Sequence, residues 1–503
     1  MKYNFQCKRF EETHLNPDKL AVAGSDGDLD WKAVQQRVEQ FARTLRELKI
    51  PAGHPVMIFG HKEQVYPLAM LACIHCSIPY IPLDRIYPAE RIQRIAELSG
   101  SQVMINCGAE ASGISFAIEI DRFGAYKVNQ GPDFNVGIYG EPADPIQYIM
   151  FTSGSTGEPK GVQITQSAVA AFLDWTLSAF DFRAEDVFMN QAPFTFDISL
   201  YDVLCAFSLG GTMVLNAADT CRKQDVFLER IAHYKCSVWV STPSFVFIYL
   251  RHPEFNEIAL PQLRIFFLLG EEFPNRTAKS LRTSFSKARL YNGYGPTEAT
   301  VATTLLEITD EIIQKYPALP IGYAMPGAEL FIDQPHADTQ TGELVISGAH
   351  VSTGYLKNAD LNQRKFFVHQ GKRSFRTGDM AREEQGLFFF LGRNDDQVKL
   401  HGFRIELNEI SAVLCRQPGV ADAVTVALRH QNEVKKLVSF VILKESAGTF
   451  ELKETLLDAL ALALPAYMVP GDLVELKEFP YGISHKVDRG ELVKQYLAEQ
   501  MKE

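Results

Sequence analysis

The chain has 503 residues, 46% of them hydrophobic and 22% charged, with a formal charge of −11. That length exceeds what one hydrophobic core supports, so at least two domains are expected, and the composition is that of a soluble globular protein. The acidic balance disfavours a nucleic-acid or anionic-membrane partner without forbidding a locally basic dock.

The amino-terminal segment is polar and lacks a signal-peptide pattern, and no uninterrupted apolar run is long enough to cross a bilayer. No membrane insertion and a cytoplasmic location are therefore expected. From Trp31 to about Leu48 a helical period places Val34, Val38, Phe41 and Leu45 on one face. Val56–Phe59 reads as a short strand. The eight cysteines show no disulfide-framework spacing, and Cys73–Cys76 is the single CxxC. With no second CxxC to complete a metal site, two packed thiols in an apolar helix is the expected reading. Strand and helix signals alternate from Val103 to Val240, as in a doubly wound α/β sheet.

Tyr148–Phe151 is an apolar strand that runs into Thr152-Ser153-Gly154-Ser155-Thr156-Gly157-Glu158-Pro159-Lys160-Gly161. Glycines let backbone N–H groups converge on one point, hydroxyls add donors, and Lys160 adds a mobile cation. Such a concentration of donors suits a polyphosphate. The spacing differs from a Walker A loop, because Glu-Pro separates the lysine from Gly157. Further on, Asn190–Ser199 carries a single carboxylate, Asp197, inside a largely apolar run. An unpaired buried carboxylate is expensive, so Asp197 should face a cation; a structural ion pair or a helix cap is the alternative.

Tyr291-Asn292-Gly293-Tyr294-Gly295-Pro296-Thr297-Glu298 contains a Gly-Pro turn that can expose main-chain groups to a ligand. Gly-rich breaks and short strand signals from Ile321 to Gly392 suggest a small β-rich subdomain. Arg376-Thr377-Gly378-Asp379 and Gly392-Arg393 lie within it. Asn394-Asp395-Asp396 follows as a turn, and beyond it strands and helices alternate to the end of the chain. Lys486 stands near that end in Ser484-His485-Lys486-Val487-Asp488-Arg489.

These motifs together, over nearly the whole length, resemble the adenylate-forming enzymes: acyl-CoA ligases, luciferases and amino-acid adenylation domains, with stand-alone D-alanine–carrier protein ligases the nearest branch. The resemblance implies an α/β fold with an adenylation core, 1–394, of doubly wound sheets and a small β-rich subdomain. A mobile α+β lid, 395–503, would turn about a hinge at Asp395. It implies ATP and Mg²⁺ as cofactors. ATP would be held by Thr152, Ser153, Gly154, Ser155, Thr156, Gly157 and Lys160, and by Asn292, Gly293, Tyr294, Gly295, Pro296 and Thr297. Tyr294 would lie on the adenine, Thr297 near the α-phosphate, Asp379 on the ribose hydroxyls and Arg393 on ribose or phosphate. Glu298 would bind the metal, a hard oxygen suited to Mg²⁺. Lys486 would be the catalytic lysine, stabilising charge as a carboxylate attacks the α-phosphate. Ser484-His485 departs from the usual Asn-Gly before that lysine.

In the amino-acid branch, the aspartate matching Asp197 binds the substrate's α-ammonium group. The pocket projected from the family comprises Asp197, Ile198, Tyr201, Val240, Phe267, Leu269, Gly293, Val301 and Ala302, with Lys486 on the carboxylate. This lining implies a small or apolar amino acid. Two departures from the D-alanine ligases, Leu269 for Cys and Gly293 for Thr, leave its identity and chirality open, with Leu269 expected to crowd one side of the α-carbon and Gly293 to open space on the other. The aminoacyl group would pass to the phosphopantetheine thiol of a separate carrier protein, since the chain has no Gly-Gly-x-Ser carrier motif. The rival readings are an acyl-CoA ligase for a carboxylic acid without an amine, and a nucleotide-binding regulator that has lost turnover.

Overall fold

A computed structural model describes residues 16–108, 114–132, 134, 144–154, 157–333, 341–400, 402–430, 433–444, 449–480 and 487–500. The chain divides into two compact units. The first is Met1–Arg85, Ala96–Phe151 and Gly161–Asn394; the second is Ile86–Ile95, Thr152–Lys160 and Asp395–Glu503.

Two large, mainly parallel sheets dominate the first unit. The nine-stranded one runs, in spatial order, Tyr323–Ala324, Thr304–Glu307, Arg289–Tyr294, Ile265–Leu268, Val238–Ser241, Val187–Asn190, Thr212–Leu215, Leu20–Ala23 and Asp28–Asp30. The seven-stranded one runs Tyr126–Val128, Ile118–Ile120, Val103–Asn106, Val56–Gly60, Tyr80–Asp84, Ile146–Thr152 and Lys160–Thr165. The central strands read as continuous apolar runs because both faces are covered. One hydrophobic core draws on both sheets. The expected first helix is Trp31–Glu47. Asp30 caps it by accepting from the Ala33 N–H at 2.7 Å, and Val34, Val38, Phe41 and Leu45 are its buried face. Cys73 is buried in the helix Tyr66–His75 and Cys76 follows it; both are free thiols, and burial pushes both pKa values up. Among the described residues no cluster of His, Cys, Asp or Glu could hold a metal ion by itself.

The β-rich region is a five-stranded antiparallel sheet of Glu329–Asp333, Thr341–Ser347, Phe366–His369, Lys372–Glu384 and Leu387–Arg393. It sets Asp379 opposite Arg393 in register.

In the second unit, the hairpin Gln397–Leu400/Phe403–Glu406 leads into the helix Leu407–Cys415. The antiparallel pair Val420–His430 and Glu433–Leu443 carries the parallel strand Asp472–Glu475, and helices Thr449–Ala463 and Arg489–Gln500 complete the unit. Two short segments that the sequence assigns to the core, Ile86–Ile95 and Thr152–Lys160, belong to this unit. Both are tied to the helix Leu407–Cys415: Glu409 pairs with Arg91 at 2.8 Å and accepts the Gly154 N–H at 3.0 Å.

Candidate active site

The glycine-rich loop emerges from the buried strand Ile146–Thr152 and returns through Lys160–Thr165. Its glycines are sterically required. A Cβ on Gly154 would stand 1.9 Å from the Glu158 carbonyl oxygen, and Gly157 has φ +79°. The Gly157 N–H closes the turn on the Gly154 carbonyl at 3.1 Å. Ser155 and Thr156 lie outside the described residues.

The loop's donors point at carboxylates of the same unit, the second. Gly154 N–H meets Glu409 Oε2, and Lys160 Nζ lies 3.2 Å from Glu406 Oε1. Ser153 Oγ donates to the Arg404 carbonyl at 2.8 Å and accepts the Glu406 N–H at 3.1 Å. Gln397 Nε2 also donates to Glu406, at 2.7 Å. An amide N–H and an ammonium, each meeting a carboxylate oxygen, form an anion-binding arrangement. Sequence reasoning overlooked Glu406 and Glu409, since neither stands in a motif it had tied to phosphate.

The second group lies in the first unit. Tyr294 ends its strand almost buried, and its hydroxyl donates to Asp379 Oδ2. Arg393 Nη1 donates to Asp379 Oδ1, and its Nη2 reaches the Thr377 carbonyl at 3.3 Å. Thr377 Oγ1 donates to the Leu344 carbonyl at 2.7 Å and accepts the Asp379 N–H at 3.0 Å, fixing the carboxylate's backbone. The fold therefore brings together the residues expected for adenine and ribose. The Asn292 side chain donates its Nδ2 to the Pro320 carbonyl at 2.7 Å, and the residue stands opposite Leu268 and Leu306 in the sheet. Gly295 permits a close backbone crossing, because a Cβ there would lie 2.4 Å from Ala302 Cα.

Beyond Pro296, Thr297–Ala299 forms one 3₁₀ turn. Glu298 is fully buried and accepts the Tyr355 hydroxyl at 2.7 Å. Its backbone carbonyl accepts the Ser352 N–H at 2.9 Å. Thr300 and Val301 then take φ +51° and +70°. A β-branched residue at positive φ is strained by about 1–3 kcal/mol, and such strain clusters at functional sites.

Two of the projected pocket positions are tightly packed. Gly293 opens no space: a Cβ there would stand 2.6 Å from two atoms of the Phe267 ring and 3.1 Å from the Thr304 carbonyl. Phe267 fills the volume that a side chain at 293 would take. Tyr201 is fully buried, edge-on to Phe172 and Phe267 with centroids 4.8 Å apart in each case. Leu269 follows the strand Ile265–Leu268, is buried, and donates its N–H to the Ser241 carbonyl at 3.2 Å. Asp197 is half-buried in the loop between Val187–Asn190 and the helix Ser199–Leu209, and its carbonyl accepts the Leu200 N–H at 2.9 Å. Burial raises the Tyr148 phenol pKa well above its ordinary value, and the nearby Asp197 carboxylate adds to the rise. Tyr148 is a neighbour of Asp197 that the sequence could not reveal.

Asp395 begins the last segment of the second unit, and its Oδ1 accepts the Gln397 N–H at 3.3 Å. Lys486, like Ser484 and His485, lies outside the described residues.

The AMP-binding enzyme family matches residues 10–356, and the AMP-binding enzyme C-terminal domain matches residues 409–486. The chain belongs to the AMP-binding enzyme family. A D-alanine--D-alanyl carrier protein ligase of Bacillus licheniformis is 35% identical over 499 residues, covering 98% of this chain and 99% of that one. Among solved structures, the Vibrio cholerae adenylation domain AlmE, in complex with glycyl-adenosine-5'-phosphate, superposes with a TM-score of 0.83 at 21% identity, covering 98% of this chain and 97% of the other. Holo-PA1221, an NRPS protein containing adenylation and PCP domains, matches with a TM-score of 0.77 at 25% identity over 97% and 84% of the two chains.

Proposed function

We propose that this enzyme activates a small or apolar amino acid with ATP and transfers it to the phosphopantetheine thiol of a separate carrier protein. In the first step a carboxylate oxygen of the amino acid attacks the α-phosphorus, the bond to the β-phosphate oxygen breaks, and pyrophosphate leaves. In the second, the thiol loses its proton, its sulfur attacks the acyl carbon, and AMP leaves. The full-length likeness to the D-alanine--D-alanyl carrier protein ligase supports the amino-acid and carrier-protein assignments.

The donors of Ser153, Gly154 and Lys160 suit the phosphates, and the Tyr294–Asp379–Arg393 group suits adenosine, with Asp379 accepting from the ribose hydroxyls. Glu298 fits Mg²⁺ as a single hard oxygen ligand, since that ion commonly takes the rest of its shell from phosphate and water. Bound there, Mg²⁺ would neutralise charge on the phosphates. Lys486 supplies a cation to the attacking carboxylate and the α-phosphate. Asp395 is the hinge, and turning about it separates two half-reactions with different geometric needs.

The observation that carries the reading is Asp197, a half-buried carboxylate at the end of an apolar run. A charge-assisted hydrogen bond from an α-ammonium group to this carboxylate would be short and strong. The test is ATP–pyrophosphate exchange with a panel of D- and L-amino acids and their deaminated analogues. Activity should require the α-amine, with a small amino acid preferred. Equal exchange with propionate in place of alanine would overturn the amino-acid reading in favour of an acyl-CoA ligase. No exchange with any acid would leave a nucleotide-binding regulator.

A further inference from the structure

Lys62, in the turn after the strand Val56–Gly60, is 3% exposed and belongs to none of the motifs above. Its Nζ donates to Asn190 Oδ1 and to the Ala192 carbonyl, and lies 4.3 Å above the Phe194 ring centroid. Two oxygens and one aromatic face account for the three N–H directions of an ammonium group. The cation is caged by protein.

All three walls of that cage come from one stretch, the segment that leaves Val187–Asn190 and reaches Asp197. Asn190 does a second job: its Nδ2 donates to Asp202 Oδ2 at 3.0 Å, on the helix Ser199–Leu209 that follows Asp197. One amide thus ties together both ends of the loop that presents Asp197. Phe194, which closes the cage, stacks on Tyr66 with centroids 4.6 Å apart. Asp202 is buried, which raises its carboxyl pKa well above the ordinary value, and the Asn190 hydrogen bond and the Lys62 ammonium oppose that rise.

We infer that Lys62 is a positioning residue for amino-acid recognition: its ammonium sets the course of residues 190–197 and so the place of the Asp197 carboxylate. The inference rests on Asp197 being the receptor for the substrate's α-ammonium group. Titration offers a handle on it. Burial pulls the Lys62 amine down to about 8, opposed by Asp202 on the following helix, Asp84 at the end of Tyr80–Asp84, and Cys221. The neighbouring His61 is engaged with Asp84 at 2.7 Å. Above that pH the cage loses its charge-assisted bonds.

The experiment is pyrophosphate exchange by the full-length enzyme, measuring KM for the amino acid and for ATP from about pH 7 to 9, in wild type, Lys62→Met and Asp197→Ala. Lys62→Met should raise the amino-acid KM about tenfold or more, the loss expected from charge-assisted hydrogen bonds, with the ATP KM changed by less than about twofold. The wild-type amino-acid KM should climb through about pH 8, and the Met variant should lack that step. Titration of the substrate's own amine is common to both and cancels in their ratio.

Equal effects on both KM values, a loss confined to kcat, or a step that persists in Lys62→Met would overturn the inference. If the Met variant does not fold, Lys62→Arg retains a cation that does not titrate in this range. Its profile should lack the step, and persistence of the step would be decisive against the proposal. Absence of the step in the wild type would also sink it. An unchanged amino-acid KM in Asp197→Ala would remove the reading on which the inference stands. A raised KM in Asp197→Ala with an unchanged one in Lys62→Met would remove the inference alone.

Discussion

Glu409 accepts the Gly154 N–H at 3.0 Å through one carboxylate oxygen and Arg91 at 2.8 Å through the other. One buried glutamate therefore holds both the glycine-rich loop and a helix that is remote in sequence. Burial alone would lower the Arg91 pKa, but Glu409, together with Tyr467 and Tyr87, more than reverses that, and the guanidinium stays charged. Both side chains are almost fully buried, at 4% and 1% exposure. Removing one partner leaves an uncompensated buried charge. Glu409→Ala should cost about 3–5 kcal/mol of stability, read from denaturant midpoints. Arg91→Met combined with Glu409→Leu should cost less than Glu409→Ala alone. A double variant at least as damaged as the single would show that the pair's charge is not what matters.

The Phe267–Gly293 contact changes what a specificity swap requires. Gly293→Thr by itself should overpack the site and cost about 1–3 kcal/mol, because a Cβ at 293 would already lie 2.6 Å from the Phe267 ring. Phe267→Leu should restore much of that loss. The triple variant Phe267→Leu, Leu269→Cys, Gly293→Thr should then shift the preference toward D-alanine, while the double variant without the Phe267 change should mainly lose stability. Thermal melts and the ranking of amino acids in exchange check both halves. One well- or badly placed apolar group is worth about 1–3 kcal/mol, so the shift should be graded.

Lys486→Ala should nearly abolish adenylation yet spare thioester formation from a supplied aminoacyl adenylate, because an ammonium near the α-phosphate serves only the first half-reaction. Single-turnover transfer to a holo-carrier protein measures the second step. Loss of both steps together would remove the assignment.

Acid should weaken the fold through His350. This residue is 1% exposed, its Nε2 lies 3.1 Å from Thr303 Oγ1, and burial pulls its pKa down to about 4. The unfolded chain binds the proton at about pH 6.5, so the neutral buried form contributes stability above that pH. The contribution is lost as pH falls from about 6.5 toward 4, to a total of about 3 kcal/mol at about 1.4 kcal/mol per pKa unit. His350→Gln should flatten the dependence of stability on pH over that window. His54, similarly buried and similarly lowered to about 4, should leave a residual slope.

Much of the site was legible in the sequence wherever its chemistry lies in one contiguous run. The loop from Thr152 to Lys160, the turn from Tyr294 to Glu298 and the β-rich stretch around Asp379 each announce themselves, because glycine, proline and donor side chains act through local backbone geometry. The alternation of strands and helices likewise fixes the α/β class, since a strand buried on both faces must read as an apolar run. Tertiary structure alone decided which side chains from distant segments meet. Tyr294 finds Asp379 85 residues away, and Arg91 finds Glu409 at a separation of 318. No local pattern marks Phe267 as the residue that fills the space beside Gly293, or Lys62 as the cation on the loop before Asp197. Packing and ion pairing depend on three-dimensional proximity, and in an α/β fold the crossovers set that proximity independently of distance along the chain.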